Sequence, residues 1–300
     1  ITCTKFRRMF FRKILALLGA TLFIINATAQ TPMNKYDKAW KKIDSLINKK
    51  GLTQSALTEV NKLYTLATKE KQQAQQVKAL LYKMGLQEMK EEDALLKSIQ
   101  QLEQESSTAG EPVRSILNSV TAERYWNYFQ QHRWQLYNRT KTIDFRKKDI
   151  ATWGIDDFHR KIGQLYLESL KNEKQLKQTK LEPFDPIIIK GNVRHLRPTL
   201  FDLLAHRALD YFRNDEQDLN KPSYAFELDQ ASTFDAAADF INRKFPTKDS
   251  LSLHHEALLL YQRLIAFHLN DKKPDALIDA DIDRLAFVHQ YAVMDNKEEL

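Results

Sequence analysis

The chain has 300 residues, with Lys+Arg 46 against Asp+Glu 39 for a formal charge of +7, and it is 43% hydrophobic with only 7 Gly and 8 Pro. That is ample chain to bury a core in one large domain or two ordinary ones. Glycine at about 2%, against a typical usage of about 7%, counts against glycine turns, phosphate-cradling loops and collagen-like repeats, and favours helices.

Residues 1–29 have the three-part layout of a cleaved secretory signal peptide. Lys5, Arg7, Arg8, Arg12 and Lys13 form a basic start with no acid before Asp37, and the apolar run Ile14–Ile25 follows. Ala27-Thr28-Ala29 then supplies the small residues that a signal peptidase needs, leaving Gln30 as the first mature residue. The apolar run is shorter than the roughly 18 residues of a spanning helix. Met9 stands directly before Phe10-Phe11-Arg12-Lys13, so residues 1–8 are expected to be an over-extended start.

Cleavage changes the electrostatics. Five of the 46 basic residues and none of the acids leave with the signal, so the mature chain carries 41 basic against 39 acidic residues, or +2. A pI near 9.2 invites a nucleic-acid partner, but most of that excess goes with the signal, and no nucleic acid is expected. Cys3 is the one cysteine and lies upstream of the apolar run, so the mature chain has no disulfide, Cys-based zinc site or Cys nucleophile. Gln30 and Thr31 stand where a lipoprotein would carry its cysteine. The expectation is a soluble exported protein, periplasmic, envelope-associated or extracellular, without a stable transmembrane segment after cleavage.

From Asn34 onward, apolar residues recur at helical spacing. Tyr36, Trp40, Ile43 and Ile47 make one stripe, closed by Lys49-Lys50-Gly51. Thr53 opens the next, with Leu57, Val60, Tyr64 and Ala67; Val77, Leu80, Leu81 and Met84 give a third, and Leu95, Ile99 and Leu102 a fourth. Short links predict two antiparallel helix hairpins. Pro112 opens a long helix through Val113, Ile116, Leu117, Val120, Trp126 and Phe129 to Trp134, whose aromatic second half is expected to be core. Residues 138–156 are polar and turn-rich, after which Asp156 or Asp157 caps a helix with Phe158, Ile162, Leu165, Tyr166 and Leu170. Pro183 and Pro186 bar a helix over 182–191, where Ile187-Ile188-Ile189 reads as a short strand or extended link. Later stripes are Leu200, Leu203, Leu204, Ala208, Tyr211 and Phe212; Phe234, Ala237, Phe240 and Ile241; then Leu253, Ala257, Leu260, Tyr261, Leu264 and Ile265, opened by Asp249 or Ser250. A last one runs through Ile278, Ile282, Leu285 and Val288.

The fold class is therefore all-α, an irregular helix-hairpin array with the shape of a tetratricopeptide solenoid after the signal peptide. It lacks a regular period of about 34 residues and the Trp-x2-Leu-Gly-x2-Tyr signature. The expected organisation is a signal at 1–29, a first helical subdomain over 30–181, a proline-containing link at 182–197 and a second helical subdomain over 198–300. The last is expected to be truncated, because the chain stops at Glu298-Glu299-Leu300 without a tail.

Few constellations invite chemistry. His254-His255-Glu256 lacks the second histidine of His-Glu-x-x-His, since Leu258 and Leu259 follow Ala257, and reads as two histidines at a helix start. Asp279, Asp281 and Asp283 resemble the opening of a calcium loop, but Arg284 stands where glycine is needed and Gln290 where the bidentate glutamate belongs; they read as a solvated helical face. His206, inside an apolar stripe, reads as a hydrogen-bonded core histidine. Asn138-Arg139-Thr140 matches an N-glycosylation acceptor and implies an exposed loop. Gly-x-Ser-x-Gly, P-loop and Rossmann fingerprints are absent from the sequence. No catalytic, cofactor-binding or metal-binding residue is assigned, no cofactor is expected, and the chain is read as a non-enzyme.

The order of several stretches resembles the N-terminal helical region of the large bacterial alpha-2-macroglobulin-like proteins. These are Tyr36-Asp37-Lys38-Ala39-Trp40, Gly51-Leu52-Thr53-Gln54-Ser55-Ala56-Leu57, Tyr125-Trp126 with Trp134-Gln135-Leu136-Tyr137-Asn138-Arg139-Thr140, and Arg197-Pro198-Thr199-Leu200-Phe201-Asp202-Leu203-Leu204-Ala205-His206-Arg207-Ala208-Leu209. The resemblance implies an exported protease-trapping endopeptidase inhibitor whose later β-sandwich domains, bait segment and, in many members, thioester do the inhibiting. The thioester motif Cys-x-Glu-Gln has no counterpart here. On this reading the helices are a scaffold or docking segment and the partners are proteins, namely target proteases of the full-length chain. The alternative is a self-contained exported helical-repeat adaptor that binds an envelope partner.

Overall fold

A computed structural model describes residues 34–89, 94–137, 149–216 and 222–300. Residues 1–29, read above as a signal peptide, and the Asn138-Arg139-Thr140 match to a glycosylation acceptor lie outside them. The described residues are all-helical, and their only sheet-like pairings are two isolated bridges, Lys180 with Thr199 and Leu228 with Ala292. In chain order the helices are α1 (Lys35–Asn48), α2 (Thr53–Lys69), α3 (Gln73–Glu88), α4 (Ala94–Thr108), α5 (Val113–Tyr137), α6 (Ile155–Ser169), α7 (Glu173–Gln178), α8 (Leu200–Phe212), α9 (Ala237–Phe240), α10 (Leu253–His268) and α11 (Asp275–Tyr291). Short 3-10 segments add Ile150–Thr152, Glu182–Ile187, Arg194–Leu196 and Ala231–Phe234. The described residues cluster into two compact units divided between Glu59 and Val60.

In the described part of the first unit, Asn34 caps α1 by accepting a hydrogen bond from the Tyr36 N–H at 3.3 Å. Tyr36, Trp40 and Ile43 are buried, as the apolar stripe requires. Gly51 ends the turn at φ +63°, where Leu52 N–H donates to the Leu46 carbonyl at 2.9 Å, the left-handed helix end that glycine adopts without strain. Lys42 of α1 pairs with Glu59 of α2 at 2.8 Å.

The second unit is built around α5 and α8. Helix α5 packs on α4, α6 and α8, and α8 also packs on α7 and α10. A helix touched from several sides cannot keep one apolar stripe, and α5 buries Ser115, Ser119 and Thr121 beside Ile116, Leu117 and Phe129. Its aromatic half is core as expected: Tyr125 stacks on Trp153 at 5.6 Å, Trp126 on Phe129 at 5.3 Å, and Trp126 meets Tyr211 of α8 edge-on at 5.3 Å. Trp134 is the exception, at 78% exposed.

Several local expectations change. The stretch 182–197 lies inside the second unit, and one core cluster runs on both sides of it from Ala74 to Ala292. Pro183 and Pro186 do not exclude helical geometry there, because a fixed φ near −65° suits a short 3-10 segment; Phe184 is buried and the segment packs on α3, while Ile189 is 99% exposed. The polar run after Asn172 contains α7, which buries Leu176. Gly154 starts α6, with Asp157 reaching back to its N–H at 3.1 Å, and Ser252 caps α10 through His255 N–H at 3.2 Å. The apolar stripe of α11 is also displaced: Ile278 and Ile282 face solvent, whereas Ala276, Ala280, Arg284, Phe287 and Val288 are buried.

Candidate functional site

The N-terminus of α8 gathers a buried polar network. Thr199 and Asp202 form a capping box, in which Asp202 Oδ2 accepts from Thr199 N–H and Oγ1–H at 2.8 Å each and Thr199 Oγ1 accepts from Asp202 N–H at 3.4 Å. The other carboxylate oxygen, Oδ1, meets His268 Nε2 of α10 at 2.7 Å, and His268 Nδ1 meets Asp271 Oδ2 at 2.7 Å. Asp202 is fully buried and His268 nearly so. Burial alone would lower the His268 pKa, but hydrogen bonds to two carboxylates outweigh it and raise the value. Hydroxyl, carboxylate and imidazole are all present, yet the carboxylate sits in the middle. A nucleophile needs its base within hydrogen-bond reach, and here the imidazole is separated from Thr199 by Asp202, so the arrangement fixes a helix end and joins α8 to α10 without activating the hydroxyl.

His206 is a hydrogen-bonded core histidine. Its Nδ1 lies 2.9 Å from the Asp202 carbonyl, and its pKa is lowered, first by burial and then by Arg197. Its Nε2 stands 3.9 Å from Asp279 Oδ2, beyond hydrogen-bond reach.

The three aspartates of α11 are not a solvated face. They diverge to separate cations: Asp279 lies 3.5 Å from Arg197 Nε, Asp281 accepts from Arg284 at 2.6 Å, and Asp283 accepts from Arg213 at 2.6 Å and from the Tyr261 hydroxyl at 2.8 Å. Arg284 is buried; it also donates to the Thr233 carbonyl at 2.6 Å and the Asp235 carbonyl at 3.0 Å, with its guanidinium 4.4 Å from the Phe240 ring centre. Carboxylates occupied this way are not arranged to share one ion. Among the described residues, no three His, Cys, Asp or Glu side chains converge as a metal site.

Two clefts flank the turn 250–253 that leads into α10. The smaller, about 260 Å³, contains Ser252, Asp249 and His254. Ser252 is spent on the cap, Asp249 accepts from Phe226 and Leu251 N–H groups at 3.2 Å, and the His254 ring lies 4.2 Å from that of Tyr291. Neighbouring His255 donates its Nε2–H to the Phe245 carbonyl at 2.8 Å, so the two histidines serve different contacts.

The larger cleft, about 480 Å³, lies along α6 and the start of α10, with Leu167, Leu170, Phe212 and Leu253 as apolar lining and His159 and Glu256 as its titratable groups of interest. His159 Nδ1 meets the Tyr211 hydroxyl at 2.8 Å, and burial lowers its pKa to about 4, which keeps it neutral at pH 7. Burial also raises the Glu256 carboxyl. Perturbed acid and base in one cleft mark it as the candidate binding site of the second unit. Its cations are already paired: Arg263 with Glu173 at 2.9 Å, Arg160 with Asp157 at 3.2 Å. A groove of this lining suits an apolar side chain better than a reacting, charged substrate.

Sequence reasoning reached His206 and the His254-His255 pair with their structural roles, but not His159, Glu256 or the Asp202–His268 pair. His159 sits beside Phe158 on an apolar face, and Asp202 and His268 are 66 positions apart with no motif between them. Comparisons with known protein families, with curated proteins and with solved structures gave no match.

Proposed function

We propose that this chain is the N-terminal helical scaffold or docking segment of an exported alpha-2-macroglobulin-like endopeptidase inhibitor, and not itself an enzyme. Trapping of the protease would be the work of later domains, and localisation would be periplasmic, envelope-associated or extracellular. The observation that carries the reading is the placement of the longest stretch of the resemblance, Arg197–Leu209. Leu200, Phe201, Leu204, Ala205, Ala208 and Leu209 are all buried in the core, and Asp202 is consumed by Thr199 and His268. What this stretch supplies is a capped, buried helix in the core of the second unit, as a scaffold would need. The alternative, a self-contained exported adaptor, draws on the 480 Å³ cleft as a receptor for a partner's side chain.

The test is the intact mass of the natural protein in envelope, periplasmic and culture fractions, detected with an antibody to residues 30–300. A product several times larger than 35.1 kDa is expected, and that product should protect a bound protease from inhibitors of large size while leaving small substrates accessible. A band slightly below 35.1 kDa would overturn the proposal in favour of the adaptor.

A further inference from the structure

Net charge over the mature chain conceals how unevenly that charge is placed. Of the 41 basic and 39 acidic residues that follow the signal segment, residues 34–59 hold six lysines against Asp37, Asp44 and Glu59, or +3. The remaining 35 basic and 36 acidic residues leave 60–300 at −1. Within 34–59, α1 and the turn that follows it hold all six lysines against two aspartates, or +4; a second basic stretch, Arg139, Lys141, Arg146, Lys147 and Lys148 against Asp144, falls in 138–148.

The lysines are also aligned. At 3.6 residues per turn, Lys35, Lys38, Lys42 and Lys49 fall within about 60° of helix circumference, and Lys41 lies about 60° further round. All five are exposed, as is Lys50 in the turn. Tyr36, Trp40 and Ile43 point to the opposite side, where they are buried, and Asp37 and Asp44 also lie well away from the stripe. From Lys35 to Lys49 the stripe extends about 21 Å. That length matches a row of anionic groups on a surface and exceeds any single phosphate.

We infer that the lysine stripe of α1 is an electrostatic docking surface for an anionic phospholipid bilayer. The occupant follows from charge complementarity and from what the helix withholds. A helix that inserts into a membrane offers its apolar face, but α1 has buried its own, so contact is restricted to lysine ammonium groups and lipid phosphates. Each lysine near an anionic leaflet is worth about a fivefold gain in partitioning, and the attraction falls within a Debye length. Binding is thus peripheral, reversible and salt-sensitive. No described helix is long and apolar enough to cross a membrane, in keeping with a peripheral contact. The inference does not depend on the protease-inhibitor reading.

The test is co-sedimentation of the chain beginning at Gln30, which removes the basic residues of 1–13, and carrying R139Q/K141Q/R146Q/K147Q/K148Q, which removes the basic stretch 139–148, with vesicles of phosphatidylglycerol and phosphatidylcholine or of phosphatidylcholine alone. Binding to the anionic vesicles at low salt is expected, with a loss of at least tenfold in half-molar salt and none to the neutral vesicles. The variant K35Q/K38Q/K41Q/K49Q, which spares the Lys42–Glu59 pair, should partition at least tenfold more weakly with an unchanged circular dichroism spectrum. The control K171Q/K174Q/K272Q/K273Q removes the same charge from exposed positions of the second unit and should lose less than threefold. Equal losses in the two variants, equal binding to neutral vesicles, or tighter binding to duplex DNA than to anionic vesicles would each overturn the inference.

Discussion

His268 Nε2 lies 2.7 Å from Asp202 Oδ1, with both side chains buried, so the end of α10 and the start of α8 are joined by a charge-assisted contact shielded from water. Removing the imidazole leaves the buried Asp202 carboxylate with only the neutral donors of Thr199 and no cation, so His268→Gln should destabilise the protein by about 3 kcal/mol at pH 6. The pH dependence follows from the raised pKa of His268. Its contribution is fully present below the ordinary value of 6.5 and is lost as pH climbs through the higher folded value. Urea denaturation from pH 6 upward should show the wild-type midpoint falling while His268→Gln stays flatter. Parallel profiles would show that the imidazole is not held charged.

His159 works in the opposite sense. Burial lowers its pKa to about 4, so its contribution is fully present above 6.5 and is lost as pH falls toward 4, when the unfolded chain takes up a proton that the folded chain refuses. His159→Gln keeps a hydrogen-bonding group for the Tyr211 hydroxyl while removing the titration. The variant should lose about 1–2 kcal/mol at pH 7 through poorer packing against Trp126 and Phe129, yet be less sensitive to acid between pH 6.5 and 4. An acid limb as steep as that of the wild type would assign the sensitivity to other groups.

The faces of α8 and α10 were legible in the sequence because each helix buries one broad stripe of large side chains. Leu253, Ala257, Leu260, Tyr261, Leu264 and Ile265 are all buried where the spacing put them. The face of α11 was not, because its buried side holds small alanines and an arginine. Ala276 and Ala280 are small enough for close helix approach, and Arg284 is satisfied by Asp281 and by carbonyls of a distant turn, partners that local spacing does not reveal. The 182–187 segment is not legible from its prolines, because proline forbids chiefly the interior of an α-helix and not 3-10 geometry. The larger cleft was invisible for a different reason: it brings together α6 and α10, which are about 100 positions apart, around two titratable residues that belong to no motif.

The phase of α11 has a direct consequence. Ile282 is 62% exposed and Ala280 is buried, the reverse of what their size suggests. Ile282→Ser should change stability by no more than about 0.5 kcal/mol, while Ala280→Leu should cost about 1–3 kcal/mol by overpacking. Thermal unfolding of the two variants decides the helix phase. A large loss in Ile282→Ser with tolerance of Ala280→Leu would place the apolar stripe where hydropathy alone puts it.

Arg284 separates geometry from charge. Its Nε and Nη2 both donate to Asp281 Oδ1, at 3.0 and 2.6 Å, while Nη1 and Nη2 donate to the Thr233 and Asp235 carbonyls. Lysine keeps the positive charge but has a compact ammonium in place of a planar fork, so it cannot reach one carboxylate and two carbonyls on diverging directions. Arg284→Lys should therefore lose nearly as much stability as Arg284→Met, about 3 kcal/mol or more, because either change leaves buried acceptors without donors. Urea denaturation of both variants at pH 7 is the measurement. If lysine recovered most of the wild-type stability, charge near Asp281 would be the requirement, and the fork to Thr233 and Asp235 would be incidental.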